Sequence, residues 1–317
     1  MFCEKKCKEV SKCAIIIEVR SVNMYKNGRI TRAEYRKRKQ RKKIKWTTIL
    51  ITSIVIAVVC IINIFLWNHD NQKLDKINDD IDTDKIVNES QSDTAENINP
   101  PENKSDDYWN YIKMDMMSVN FDELKKKNND TVGFIKVNGT NVNYPIVQTT
   151  DNSYYLKHAF DKSQNSAGWV FADYRNDMVN FDKNTVIYGH SRSNQTVFGS
   201  LKKVLNKSWY GNKDNHVIKL STPTENTLWQ IVSIYTIKPE SYYITTKFSD
   251  KQFKEFIKTI KNRSEIDFSG TLNENDKIVT YQTDLFDPAT MLSSNVVKVD
   301  YAWTNVHDSL WRCGWNY

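Results

Sequence analysis

The pattern of apolar positions divides the chain into a long apolar helix near the N-terminus and a β-rich remainder. No charged side chain occurs between residues 46 and 68, and residues 49–66 are almost continuously apolar. At 1.5 Å per residue, about 20 such residues cross the ~30 Å hydrocarbon layer of a bilayer. The pattern therefore predicts a single transmembrane helix over residues 46–68.

Beyond Thr131, short runs rich in β-branched and aromatic residues alternate with turn residues, which is typical of a β-barrel or a β-sandwich. The predicted strands are 132–137, 142–147, 169–171, 185–188, 217–220, 227–235, 277–281 and 296–303. Apolar residues recurring every three or four positions predict a helix from residue 108 to about 127. Ser249 and Gln252 form a capping-box pattern that predicts a second helix, ending near Arg263.

Charge is distributed unevenly along the chain. Residues 1–45 contain 16 basic and 4 acidic residues, a balance of +12, and since the whole chain carries +7, the other 272 residues sum to −5. A mildly acidic globular part argues against nucleic acid as a partner. Because positive charge stays on the cytoplasmic side, residues 1–45 are predicted to be a basic cytoplasmic tail and the C-terminal part to be extracellular. A buried core helix and a cleaved signal peptide are the alternatives to a membrane anchor.

The composition of the outer part predicts three further segments. Residues 69–107 contain 12 acidic and 4 basic residues and few large apolar ones, which predicts an acidic disordered linker. A mainly β domain follows over 108–303, and residues 304–317 form an aromatic C-terminal tail. Cys313 is the only cysteine predicted to be extracellular, so no intramolecular disulfide is expected there. The histidines are scattered without ligand spacing, and neither a metal nor a cofactor is predicted.

His190 stands in the motif Tyr188-Gly189-His190 directly after a predicted strand, where a histidine can be held rigidly as an acid or a base. This motif, together with the ordered motifs at 133–135, 143–148, 151–156 and 167–175, resembles the class B sortases. These are membrane-anchored cysteine transpeptidases of Gram-positive bacteria, and the resemblance covers approximately residues 108–303. It implies an eight-stranded β-barrel with an N-terminal helix and one long inserted helix, preceded by a single transmembrane anchor.

The resemblance also implies where the chemistry takes place. In the family, a cysteine at the end of the penultimate strand attacks a sorting motif, a histidine protonates the leaving amine, and an arginine on the last strand steadies the substrate. His190 matches the family's histidine, but Asp284 stands at the nucleophile position and Asn295, or its neighbour Ser294, at the arginine position. The same resemblance implies substrate contacts at Tyr188, Tyr281 and Thr283.

These departures leave two hypotheses open. One is an impaired pseudoenzyme on the cell surface that binds a sorting-signal peptide or acts as the partner of an active sortase. The other is an active transpeptidase that uses Cys313, or a lineage in which residue 284 is an altered cysteine, with peptidoglycan or pilin amines as acceptors. Asp284 is interpreted either as an ion-pair partner of a protonated His190 or as a tolerated relic of a lost nucleophile. Beside these two, a purely structural wall-spanning protein without affinity for peptides is a third hypothesis. In all three, residues 46–68 contact membrane lipid.

Overall fold

The computed structural model describes residues 32–81, 83–90, 114–238, 242–284 and 291–298, and for residues 284 and 291–298 it describes the backbone. The chain divides into two compact units, Met1–Leu66 and Trp67–Tyr317. The predicted tail 304–317, which contains Cys313, lies outside the described residues.

Helix α1 (Arg32–Ile81) contains the apolar run of the sequence. Among the described residues it is the one helix that is long and apolar enough to cross a membrane. The criteria are length and composition, which a signal sequence near the N-terminus also meets. The side chains of the run are solvent-exposed in the isolated chain, as expected for a surface that contacts lipid.

The segment predicted to be a disordered linker, 69–107, is structured in its described part. Helix α1 continues to Ile81, a short helix α2 (Thr83–Ile86) follows, and strand β1 (Val87–Ser90) comes next. Leu74, Ile77 and Ile81 are at most 8 % exposed and belong to the main apolar core. The linker prediction is wrong here because these few apolar residues share one helical face, which composition alone does not reveal. Residues 91–107 lie outside the description.

The predicted N-terminal helix is shorter than expected. Strand β2 (Met116–Val119) pairs antiparallel with β1, and helix α3 (Phe121–Lys127) begins only afterwards. The side chain of Asn120 accepts the main-chain N–H of Glu123 at 3.2 Å and so caps α3. Residues 116–119 are therefore a strand rather than part of the predicted helix, because they pair with β1. Residues 108–113 lie outside the described residues.

Eight strands close into a barrel, as the resemblance implied. They are β3 (Thr131–Val137), β4 (Asn143–Val147), β5 (Phe171–Ala172), β6 (Asn184–Tyr188), β7 (Val217–Ser221), β8 (Asn226–Ile237), β9 (Ile278–Asp284) and β10 (Met291–Lys298). Their order around the barrel is β10-β8-β7-β3-β4-β5-β6-β9. Strand β10 begins five residues before the predicted start at 296 and has a bulge against β8 between Asn295 and Val296.

The long inserted helix is α5 (Asp250–Arg263), which follows the short helix α4 (Lys207–Tyr210). The capping box of Ser249 and Gln252 is confirmed in both directions. The apolar face of α5 buries Phe253, Phe256 and Ile260 in a second, smaller cluster with side chains of β8. Single 3-10 turns occur at Tyr154–Leu156, Leu201–Leu205, Lys213–His216 and Tyr242–Ile244.

Candidate functional site

The strands that carry the histidine and the nucleophile position are neighbours in the barrel. β6 and β9 run parallel with Tyr188 registered opposite Gln282. The main-chain N–H of Gly189 extends this ladder by donating to the carbonyl oxygen of Gln282 at 3.1 Å. His190 and Asp284 each follow the registered pair by two residues, so both backbones reach the same end of the barrel.

The predicted arginine position lies deeper along the barrel than the predicted nucleophile position. On β10 Met291 is registered opposite Asp284, whereas Asn295 is registered opposite Thr280. Four residues of strand correspond to about 13 Å at 3.3 Å per residue. Strand β10 contains no arginine, and Lys298 is its single basic residue.

The His190 ring is held by contacts from the loops around it. Its Nε2 lies 3.1 Å from the carbonyl oxygen of Leu156. Its main-chain carbonyl accepts the N–H of Phe198 at 3.0 Å. Gly168, with φ +60°, lies against the ring, because a Cβ at that position would come within 3.1 Å of His190 Cδ2. These contacts give the half-buried ring a defined position, as an acid or a base requires.

Gly189 allows the histidine loop to fold tightly. A Cβ at this position would lie 2.7 Å from the ring of Phe198, which is completely buried. Since real Cβ atoms do not approach this closely, glycine is the residue that fits between β6 and Phe198.

Tyr188 is hydrogen-bonded to the buried carboxylate of an ion pair. Its hydroxyl donates to Asp173 Oδ2 at 2.9 Å, and its ring lies against Phe171. Asp173 is 0 % exposed and accepts two hydrogen bonds from the Arg175 guanidinium, at 2.8 and 2.7 Å. Burial raises the pKa of the Asp173 carboxyl, but the hydrogen bonds from Arg175 outweigh it and leave that pKa below its ordinary value. The carboxylate therefore stays charged, and Tyr188 keeps a fixed acceptor.

Two of the predicted substrate contacts are buried. Tyr281 and Thr283 are each 2 % exposed. The Tyr281 ring packs edge-on against Phe198, and its hydroxyl has no hydrogen-bond partner among the described residues. Burial raises the pKa of Tyr281, so this hydroxyl stays protonated. Tyr188, the third predicted contact, is partly exposed. Contact of all three side chains with a substrate stays a prediction.

Three arginines of the second unit lie among the described residues, and each makes a side-chain hydrogen bond with another residue of that unit. Arg175 binds Asp173 and also donates to the carbonyl oxygen of Ile244 at 2.8 Å. Arg192 donates to Asn71 Oδ1 at 2.8 Å. Arg263 donates to the hydroxyl of Tyr242 at 3.1 Å and lies over its ring.

The structure adds residues that the sequence reasoning did not assign to the site. The Leu156 carbonyl and Gly168 contact His190, and Asp173 with Arg175 supports Tyr188. All four lie in the motifs that carried the resemblance, which was the available signal. Cys60, in the apolar run, is the one cysteine within the described ranges. No group of three His, Cys, Asp or Glu side chains in those ranges converges to hold a metal.

Comparison with known proteins identifies the domain. A sortase domain model matches residues 135–283, ending one residue before Asp284. Sortase B of Staphylococcus aureus is 31 % identical over 182 residues, which is 56 % of this chain and 74 % of that protein. The structure of Clostridium perfringens sortase B is 32 % identical with a TM-score of 0.54 and covers 57 % of this chain and 100 % of that one.

A second solved structure shows a relative with a bound ligand. The Staphylococcus aureus sortase B–substrate complex is 30 % identical with a TM-score of 0.53 and covers 56 % of this chain and 83 % of that one. Sequence relatives and solved structures therefore agree on the sortase fold. The chain belongs to the class B sortases, a family of sortase B-like transpeptidases.

Proposed function

We propose that this protein is a membrane-anchored class B sortase homologue that has lost transpeptidase activity and binds sorting-signal peptides, alone or as the partner of an active sortase. The observation that carries the proposal is Asp284, an oxygen acid at the end of the strand that runs parallel to the one leading to His190. The relatives' transpeptidation requires a sulfur nucleophile at this position.

A carboxylate does not perform the same chemistry. A thiolate attacks a peptide carbonyl to form a thioester, which passes the acyl group to an amine. A carboxylate attacking the same amide would form an acid anhydride, a more energetic species than the amide it consumes. Asp284 therefore removes the acyl-enzyme route even though His190 is retained at the same end of the barrel.

The arginine contact is missing as well. Strand β10 has no arginine, and the three arginines of the second unit that the structure describes are engaged elsewhere. An oxyanion contact of this kind is worth about 3 kcal/mol of transition-state stabilisation. Loss of two parts of the mechanism in one chain supports impairment more strongly than either change alone.

Other features support retained peptide binding. The site is still held in place by Gly189, Gly168 and the Asp173–Arg175 pair, which position His190 and Tyr188. None of these residues is a nucleophile, so their arrangement does not depend on catalysis. A relative of similar barrel structure binds a substrate at its own site. We expect the bound ligand here to be an extended peptide that carries a sorting motif.

Location at the cell surface is part of the proposal. The basic segment 36–45 comes directly before the apolar run, which places residues 1–45 in the cytoplasm and the barrel outside by the positive-inside rule. Peptides presented at the outer membrane surface would then meet the site.

The test uses the full-length protein in detergent or nanodiscs with fluorogenic sorting-motif peptides and an amine acceptor. We expect no cleavage by the wild-type protein, but saturable peptide binding in fluorescence anisotropy. Asp284→Cys, with Asn295 left unchanged, should produce cleavage at a rate limited by the missing arginine contact. Asp284→Asn is the matched control and should stay inactive.

The competing hypothesis gives a different result. Efficient cleavage by the wild-type chain, abolished by Cys313→Ala, would identify Cys313 as the nucleophile and overturn the proposal. A covalent thioester on the wild-type polypeptide, detected by intact mass, would have the same consequence. A wild-type chain that neither binds nor cleaves peptide would contradict the proposal and support a purely structural role in the cell wall.

A further inference from the structure

The helical segment 67–81, which follows the apolar run, belongs to the same compact unit as the barrel. Asn71, Leu74, Ile77 and Ile81 recur every three or four residues and are at most 9 % exposed. Their common face is packed into the main core rather than presented to solvent. The segment is therefore part of the folded domain.

Arg192 is the first link between this segment and the histidine. It lies two residues after His190 in the loop 189–199. Its Nη2 donates to Asn71 Oδ1 at 2.8 Å, and its guanidinium carbon lies 5.9 Å from the centre of the Trp67 ring. A charged hydrogen bond and a cation–π contact thus join the loop to two turns of the helix.

Asp70 makes a second link, on the other side of the histidine. Its carboxylate accepts the main-chain N–H of Ser166 at 3.1 Å, and its main-chain carbonyl accepts the side-chain amide of Asn165 at 3.0 Å. Two residues further on, Gly168 lies against the His190 ring. The helix therefore also holds the turn that contacts this ring.

A third link runs through the buried hydroxyl of Tyr144. This hydroxyl accepts the main-chain N–H of Val197 at 3.1 Å and is hydrogen-bonded to the side chain of Asn78. Val197 pairs with Ser191 across the loop. Asn78 thus reaches the far side of the same loop through one tyrosine.

We propose that the segment 67–81 is a positioning element of the site, and that Arg192 transmits its position to the loop carrying His190. His190 lies in the loop 189–199 and its ring contacts Gly168 of the turn 165–168, and both segments are bonded to this one stretch of helix. Because the same helix contains the apolar run, the element that leads from the anchor also orders the histidine. An effect of this segment on peptide affinity rests on the proposed function, whereas its effect on the order of the loop 189–199 does not.

The test compares full-length variants in lipid nanodiscs. Hydrogen exchange of residues 189–199 reports loop order, and the ring resonances of selectively labelled His190 report its surroundings. Arg192→Ala and Asn71→Ala should each accelerate exchange in the loop by about tenfold and shift the His190 resonances. The double variant should resemble Arg192→Ala, because that change already removes the hydrogen bond to Asn71 as well as the contact with Trp67.

Lys127→Met is the matched control. It removes another bond between this helix and the barrel, since Lys127 Nζ donates to the carbonyl and to Oδ2 of Asp80 at 2.6 Å, but it does not touch the loop. Loop exchange and the His190 resonances should stay at wild-type values in this variant. Arg192→Lys, which keeps a donor for Asn71, should restore part of the order.

Two results would overturn the inference: unchanged exchange and unchanged His190 resonances in Arg192→Ala, or equal loosening in Lys127→Met. Melting temperature and circular dichroism identify a variant that fails to fold. If Arg192→Ala fails to fold, loop exchange in Arg192→Lys is compared with the wild type instead, and unchanged exchange in that variant would overturn the inference. If the wild-type chain binds no peptide but Arg192→Ala still loosens the loop, the proposed function fails while the positioning role stands.

Discussion

The main-chain N–H of Gly189 donates to the carbonyl oxygen of Gln282 at 3.1 Å, beyond the last residue of strand β6. This bond keeps the parallel pairing of β6 and β9 intact up to His190. It places His190 and Asp284, the predicted nucleophile position, at the same end of two adjacent strands. Sequence positions almost a hundred residues apart thereby become one site.

Gly189→Ala should disturb this junction. The added Cβ would lie 2.7 Å from the Phe198 ring, so the loop or the ring must move. We expect a loss of about 1–3 kcal/mol in the free energy of unfolding, measured by urea denaturation in detergent. Adding Phe198→Leu should recover part of the loss; a double variant that simply sums the two single effects would contradict the steric explanation.

Asp173→Asn should destabilise the barrel by about 2–3 kcal/mol. The change removes the carboxylate that pairs with Arg175, and the cost of leaving a guanidinium without its partner is moderated because Arg175 is 37 % exposed. Tyr188→Phe, which removes one hydrogen bond to the same carboxylate, should cost only about 1 kcal/mol. Equal losses in the two variants would show that the ion pair contributes nothing of its own.

Glu89→Gln should make stability less dependent on pH in the acid range. Glu89 accepts hydrogen bonds from Lys136 and from Lys219, whose Nζ lies 2.6 Å away. Burial raises the pKa of Glu89, but these two lysines outweigh it and leave that pKa below its ordinary value. The stabilisation is therefore present above the unfolded-state pKa of about 4.3 and disappears as pH falls through the lower, folded-state pKa.

At pH 7 the expected loss for Glu89→Gln is about 1 kcal/mol, since the carboxylate is 29 % exposed and partly screened. The difference from wild type should shrink below about pH 4.3. Glu123→Gln, which breaks the exposed pair with Lys126, is the control and should cost less than about 0.5 kcal/mol. A Glu89→Gln loss that stays constant down to pH 3 would refute the assignment.

Cysteine accessibility should reveal the membrane topology. In a chain whose five native cysteines are replaced, we expect Lys207→Cys to react with a membrane-impermeant maleimide on intact cells. Lys42→Cys should react only after permeabilisation, because the basic segment stays inside. Labelling of both positions on intact cells, or of neither, would contradict the proposed orientation.

The strands and the long helix were predictable because their signals are local. Residues 132–137 and 217–220 have the β-branched composition of strands. Ser249 and Gln252 form the capping box that marks the start of helix α5. The resemblance that identified His190 and Asp284 rests on short motifs in a fixed order. The sequence could not show that Tyr281 and Thr283 are buried, because burial depends on which strands flank β9.

The amino-acid sequence by itself determined the apolar run, the charge asymmetry, the β-rich character of the domain and the aspartate at position 284, since each is a matter of residue type and order. Tertiary structure alone decided that residues 69–81 are packed helix, that residues 116–119 form a strand, and that Arg192 is bonded to Asn71 rather than placed at the missing arginine position. The physical reason is that three apolar side chains or one guanidinium have no defined partner until distant segments pack against them.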